Sequence, residues 1–164
     1  MSLDGLGRRS LTRRPDERGY FAEILRSDWT DFTLGEAPVQ ANLSMSYPGI
    51  VRAWHRHARG QVDYFIVVQG ALKIAAYDDR PGSATRGELS ELVASADHLE
   101  VLRVPGHFWH GTCAVGHGPA LVVYLVSRLY DAAKPDEERR PWNDPAIRDP
   151  ATGAPYDWHR PPHK

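Results

Sequence analysis

The 164-residue sequence has one cysteine, no long apolar run, no excess of charge of either sign and no internal repeat. Each absence excludes something. A lone Cys113 cannot close an internal disulfide, and no N-terminal apolar stretch resembles a signal peptide or a spanning helix, so a reducing, cytoplasmic setting is the expectation. With 20 basic against 21 acidic residues, neither a nucleic-acid surface nor a membrane surface is expected, and an anionic ligand would have to be held by local arginines. The length suits one domain with a sizeable core, covering 1–164, with an extended segment at 1–15 and a tail at 132–164 that wraps the core.

What is present is β texture. Apolar or alternating runs fall at 39–47, 51–57, 62–69, 71–78, 88–94, 99–104, 108–115 and 120–128, after a candidate first strand at 20–26 and a short helical or irregular passage at 28–36. Turn signals separate the runs at Pro48-Gly49, Gly70, Pro81-Gly82, Pro105-Gly106 and His117-Gly118-Pro119. Many short strands at close spacing imply an all-β sandwich or barrel, not βαβ units. The charged run KPDEERR, residues 134–140, reads as a solvated face.

Two stretches carry chemistry. In GIVRAWHRHARGQVDYFIVVQG, His55 and His57 alternate, so on a strand both side chains leave the same face. In VPGHFWHG, Pro105 precedes His110 by five residues, a spacing that resembles the second motif of cupin barrels, and that resemblance implies a third imidazole in the same cavity if a barrel closes. An imidazole titrates near neutrality and so can act as a base without being mostly protonated.

Taken in order, DERGYF (16–21), Gln40-Ala41-Asn42, VRAWH (51–55), GSATRG (82–87), VPGHFWHG and WNDPAI (142–147) resemble the dTDP-4-dehydrorhamnose 3,5-epimerase family of the cupin superfamily. The resemblance implies a jelly-roll β-barrel with short peripheral helices, and a homodimer that exchanges N-terminal segments. It implies a dTDP-4-keto-6-deoxy sugar, or a similar nucleotide sugar, as substrate. It assigns His55 as the base, Tyr130 as the acid on the opposite face and His110 as a second catalytic histidine. Arg18 and Arg52 would hold the diphosphate, Glu23 and Gln40 would contact nucleotide or sugar, and Trp142 would border the nucleotide.

The sequence departs from that pattern in three respects. Asp63 stands near the sugar where the family has a lysine. The C-terminal aspartate that pairs with the catalytic histidine has no counterpart, leaving Asp157, or Asp63 if its strand neighbours His55, as candidates. His57 and His107 replace a glutamine and a glycine. No cofactor is required by the first reading. The alternative is one divalent metal, Fe, Mn, Ni or Zn, held by His55, His57, His110 and Gln61 or Asp63, in an oxygenase or lyase acting on a small metabolite. A third reading is a cupin that binds a sugar nucleotide without turning it over.

Overall fold

A computed structural model describes residues 3–161 of the chain. Expectations that fall on 1–2 and 162–164 lie outside the described residues. Two five-stranded sheets face each other, with the order β1-β9-β6-β11-β4 in one and β12-β5-β10-β7-β8 in the other, and every pairing is antiparallel. The first sheet comprises β1 (Gly7–Ser10), β4 (Gln40–Ser46), β6 (Val62–Gln69), β9 (Glu100–Pro105) and β11 (Ala120–Val126). The second comprises β5 (Val51–His57), β7 (Ala71–Tyr77), β8 (Leu89–Ser95), β10 (Trp109–Val115) and β12 (Glu137–Arg139). A separate hairpin pairs β2 (Arg14–Asp16) with β3 (Gly19–Phe21), and the single helix among the described residues, α1, covers Thr30–Thr33. This is the expected jelly roll.

The eight core strands fall where alternation placed them, each within about two residues at either end. Within the segment 1–15, Gly7–Ser10 adds a strand to β9, and the Arg8 guanidinium meets the buried Glu100 carboxylate through two hydrogen bonds of 2.9 and 2.7 Å. Two expectations are corrected. The strand expected at 20–26 is only a short hairpin arm ending at Phe21. KPDEERR is not simply a solvated face, because Glu137–Arg139 forms β12 on the free edge of β5.

Between the sheets, one end is filled by an aliphatic and aromatic plug that includes Phe65, Val67, Leu72, Ile74, Leu102, Val104 and Phe108. A second cluster lies outside the other sheet, where Ile147, Tyr156 and Trp158 pack with Trp54 and Trp109. At Gly70, φ of +69° and a backbone oxygen of Pro119 only 2.4 Å from where a Cβ would sit restrict the β6–β7 turn to glycine.

One strand reverses the usual polarity. On β4 the inward residues are Gln40, Asn42, Ser44 and Ser46, which line the cavity, whereas Leu43 and Met45 face out, 68% and 45% exposed. The open end of the barrel therefore has a hydrophilic wall and an apolar outer side.

Candidate active site

The open end of the barrel encloses a cavity of about 1220 Å³, walled by β4, β5, β6, β11, β12 and the segments after β11 and β12. His55 and His57 enter from β5, side by side with ring centroids 5.8 Å apart, as alternation required. His110 lies opposite His55 in the β5–β10 register, and its ring centre is 4.2 Å from that of His55. The third imidazole thus joins the other two, fully buried at the floor.

Asp63 completes the group from the facing sheet. Its strand, β6, pairs with β9 and β11 and does not neighbour His55, which corrects one condition set on the sequence. Its Oδ2 lies 3.1 Å from His110 Nε2 and 3.3 Å from His57 Nε2, while Gln61 Nε2 donates to Oδ1 at 2.7 Å and sits 3.2 Å from His57 Nε2. Gly106 makes this close packing possible: a Cβ there would lie 2.1 Å from the Gln61 carbonyl oxygen and 2.8 Å from His57 Cβ. The Gly106 backbone also accepts from His57 N–H at 2.7 Å and donates to the Gln61 carbonyl at 2.8 Å, locking the ends of β5 and β6 together.

Burial and neighbours separate the titrating groups. Burial, then the nearby His110, holds His55 well below the ordinary histidine range, so this cavity-facing ring is neutral at neutral pH. Burial opposes the charge on Asp63, but hydrogen bonds from His110 and His57 outweigh it and hold the carboxyl well below the usual carboxylate range. Burial also opposes charge on His57, and the Asp63 bond more than reverses this, raising it.

The remaining expected residues divide into two sets. Gln40, Arg52, Tyr130 and Trp142 all line the cavity. Gln40 Oε1 accepts from the Tyr130 backbone N–H at 3.0 Å, pinning the segment that carries the phenol, whose ring is 64% exposed. Arg52 donates to Ser46 Oγ at 2.9 Å and the Met45 carbonyl at 3.0 Å, both neutral acceptors. Four other cavity arginines, Arg59, Arg128, Arg139 and Arg140, each pair with a carboxylate. The second set, Arg18 and Glu23, is not brought to this cavity: Arg18 pairs with Asp16 on the outer hairpin and Glu23 with Arg26. Asp157 caps the His159 N–H and does not reach His55.

Glu137 was missed in the sequence. It lines the cavity from β12, its Oε1 lies 4.0 Å from His55 Nδ1, and Arg139 holds its other oxygen at 3.0 Å. The signal was present in the alternation Glu137, Arg139 beside a strand edge, but the density of charge concealed it. For ligand chemistry, His55, His57, Asp63 and His110 each offer one atom, and all four atoms lie within 4.8 Å of one another.

A neutral, part-buried imidazole, a phenol and an arginine with no acid partner among the described residues, set around a cavity of this size in a cupin barrel, are groups that acid–base chemistry on an anionic substrate uses. The family model for dTDP-4-dehydrorhamnose 3,5-epimerase matches residues 1–150, and the chain belongs to that family of cupin-fold isomerases. It is 43% identical over 135 residues to a probable low-salt glycan biosynthesis epimerase, Agl13, of Haloferax volcanii, covering 82% of this chain and 85% of that one. It is 34% identical over 145 residues to the spore coat polysaccharide biosynthesis protein SpsL of Bacillus subtilis, covering 88% and 93%. Among solved structures, a dTDP sugar isomerase from Desulfovibrio desulfuricans superposes with a TM-score of 0.79 at 29% identity, over 93% of this chain and 94% of that one. These relationships favour the epimerase over both the small-metabolite oxygenase or lyase and the non-catalytic cupin.

Proposed function

We propose that the protein epimerises a 4-keto-6-deoxy nucleotide sugar at a carbon next to the ketone. The observation that carries this reading is His55, a ring held neutral by burial yet facing a cavity large enough for a nucleotide sugar. His55 takes the proton from the carbon, giving an imidazolium and an enolate. Tyr130 delivers a proton to the other face; its exposed phenolate then recovers one from solvent and the His55 imidazolium returns one to solvent, restoring both groups. Glu137, beside His55 Nδ1, favours the imidazolium that forms. Arg52 holds the diphosphate with charge-assisted hydrogen bonds, since no carboxylate among the described residues claims it. Gln40 and Trp142 contact the sugar and nucleotide portions.

The enzyme acts as a homodimer on this reading. The outward Leu43 and Met45 of β4 and the exposed Tyr20 and Phe21 of the hairpin are apolar surface suited to a second copy. The hairpin carries Arg18 toward the cavity of that copy, which accounts for its distance from its own. Mixing inactive His55→Asn and Arg18→Ala proteins tests this, because a hybrid dimer has one intact site and regains activity.

The chemistry is tested by incubating the protein with a dTDP-4-keto-6-deoxy sugar in heavy water and following deuterium entry by mass spectrometry. Wild type incorporates deuterium and yields epimer. His55→Asn abolishes both, whereas Tyr130→Phe keeps incorporation and loses inverted product. Incorporation that survives in His55→Asn would overturn the assignment.

A further inference from the structure

We propose that His159, on the C-terminal segment outside the barrel, is a positioning residue that sets the Trp142 indole as a stacking platform for the nucleobase of the substrate. The inference rests on the proposed epimerase only in taking a nucleotide sugar as the occupant of the cavity. Trp142 lines the cavity and is 47% exposed, so part of its ring is open to a ligand. Its other contacts fix it in place. The Trp142 carbonyl accepts from Trp54 Nε1 at 3.1 Å, and Trp54, the residue before His55, exchanges backbone hydrogen bonds with Arg140 at 3.1 and 2.9 Å. The Trp142 ring itself meets that of His159 in a T-shaped contact, with centroids 5.9 Å apart and planes at 76°.

His159 is fixed at two points of its own. The Gly49 carbonyl can only accept, so the His159 Nε2 that lies 2.9 Å from it carries a hydrogen and donates to the turn between β4 and β5. The His159 backbone N–H donates to Asp157 Oδ1 at 2.8 Å. The residues on either side are anchored to the second sheet: the Trp158 carbonyl accepts from the buried Lys73 ammonium at 2.7 Å, and the Arg160 guanidinium meets Glu91 at 2.9 Å. Trp158 also packs its ring 4.7 Å from that of Trp54, whose indole N–H holds Trp142. His159 lies beyond the residues 1–150 that the family model matches, which leaves Trp142 inside the match and its ring support outside it. A nucleobase stacks on the face of an indole, and the gain is largest when the ring is already in place, because a mobile ring loses rotamer freedom on binding. His159 removes that loss in advance by tying the indole to a turn of the barrel through an aromatic contact. It stands outside the cavity wall, so its effect on binding passes through Trp142 and not through the proton transfer at His55.

The test uses the full chain and two readouts, dTDP affinity by titration calorimetry and the KM and kcat of deuterium entry into a dTDP-4-keto-6-deoxy sugar, with circular dichroism to check that each variant is folded. Trp142→Ala should weaken dTDP binding about tenfold or more. His159→Ala should weaken it, and raise KM, by about three- to tenfold with kcat unchanged. Adding His159→Ala to Trp142→Ala should change the affinity by less than about twofold, because the ring that His159 supports is gone. His159→Phe, which keeps an aromatic ring beside the indole, should fall between wild type and His159→Ala. An unaltered dTDP affinity in folded His159→Ala, a His159→Ala effect of equal size with and without Trp142, or a fall in kcat at constant KM would overturn the positioning role. Such a result in a protein whose wild type exchanges deuterium would retain the epimerase and reject the inference, whereas the expected coupling in a protein that exchanges none would retain the platform and reject the epimerase.

Discussion

Asp63 and Asp78 are both buried, and both carboxyls are held well below the usual carboxylate range, yet they belong to different kinds of place. Asp78 lies in the loop after β7. It accepts from the Arg80 backbone at 3.0 Å, from the Arg80 guanidinium at 2.9 Å through two nitrogens, from Ser83 at 2.5 Å and from Thr85 at 2.7 Å. Every one of those partners comes from the next seven residues of the chain. Of the Asp63 neighbours only Gln61 is local; the other two are imidazoles brought from the ends of β5 and β10, and they could bind other things. A buried acid saturated by its own loop maintains a shape. One met by titratable rings at the foot of a cavity is available to a ligand.

The sharpest way to break this contrast is Asp63→Asn, which keeps the shape and removes the charge. Deuterium exchange should fall by about 10²-fold or more, with the melting temperature moved less than by any Asp78 substitution. If instead the protein melts early and the folded fraction stays active, Asp63 is structural like Asp78.

The reciprocal change, Asp78→Ala, leaves the hydroxyls of Ser83 and Thr85 and the Arg80 guanidinium without their acceptor. It should cost about 2–3 kcal/mol, a fall of roughly 4–12 °C in melting temperature for a chain of this size. The folded fraction should keep its kcat, which a denaturation scan alongside kinetics would check.

Acid sharpens the same point. The Asp78 carboxyl is held low chiefly by its bonds to Arg80, so its contribution is complete above the ordinary value of 3.8 and disappears as pH falls through its folded value. The stability gap between wild type and Asp78→Asn should therefore be constant from pH 7 to about pH 5 and narrow below about pH 4. A gap that persists undiminished at pH 2 would show that packing, not charge, holds the loop. The smallest effect belongs to Thr85→Val, which removes one of several donors and should lower stability by about 1 kcal/mol with kcat unchanged.

The two acids also differed in how far the sequence revealed them. The turn signal at Pro81-Gly82 marks the loop in which Asp78 and all of these partners lie. His55, His57 and His110 were legible through alternation within a strand and the spacing of one turn. What Asp63 touches was not legible. Its role depends on which sheet β6 joins and on how the two sheets face each other, and neither follows from the pattern of one strand. Glu137 was hidden for a similar reason: three charged residues on an edge look like solvent-facing sequence until a neighbouring strand supplies the ladder. The separation of Arg18 from the cavity follows from the path of the hairpin, which no local pattern records.

The reversed polarity of β4 limits how this enzyme can change its substrate. Even-numbered positions from Gln40 to Ser46 face the cavity and odd-numbered ones face out, while the strand stays in ladder with β11 from Gln40↔Val126 to Ser46↔Ala120. A one-residue insertion or deletion would turn Leu43 and Met45 into the pocket and expose Asn42 and Ser44 in their place, damaging both faces at once. New specificity along this wall therefore has to arise by exchange of side chains at constant length, whereas the loops beyond β11 and β12 are free to grow.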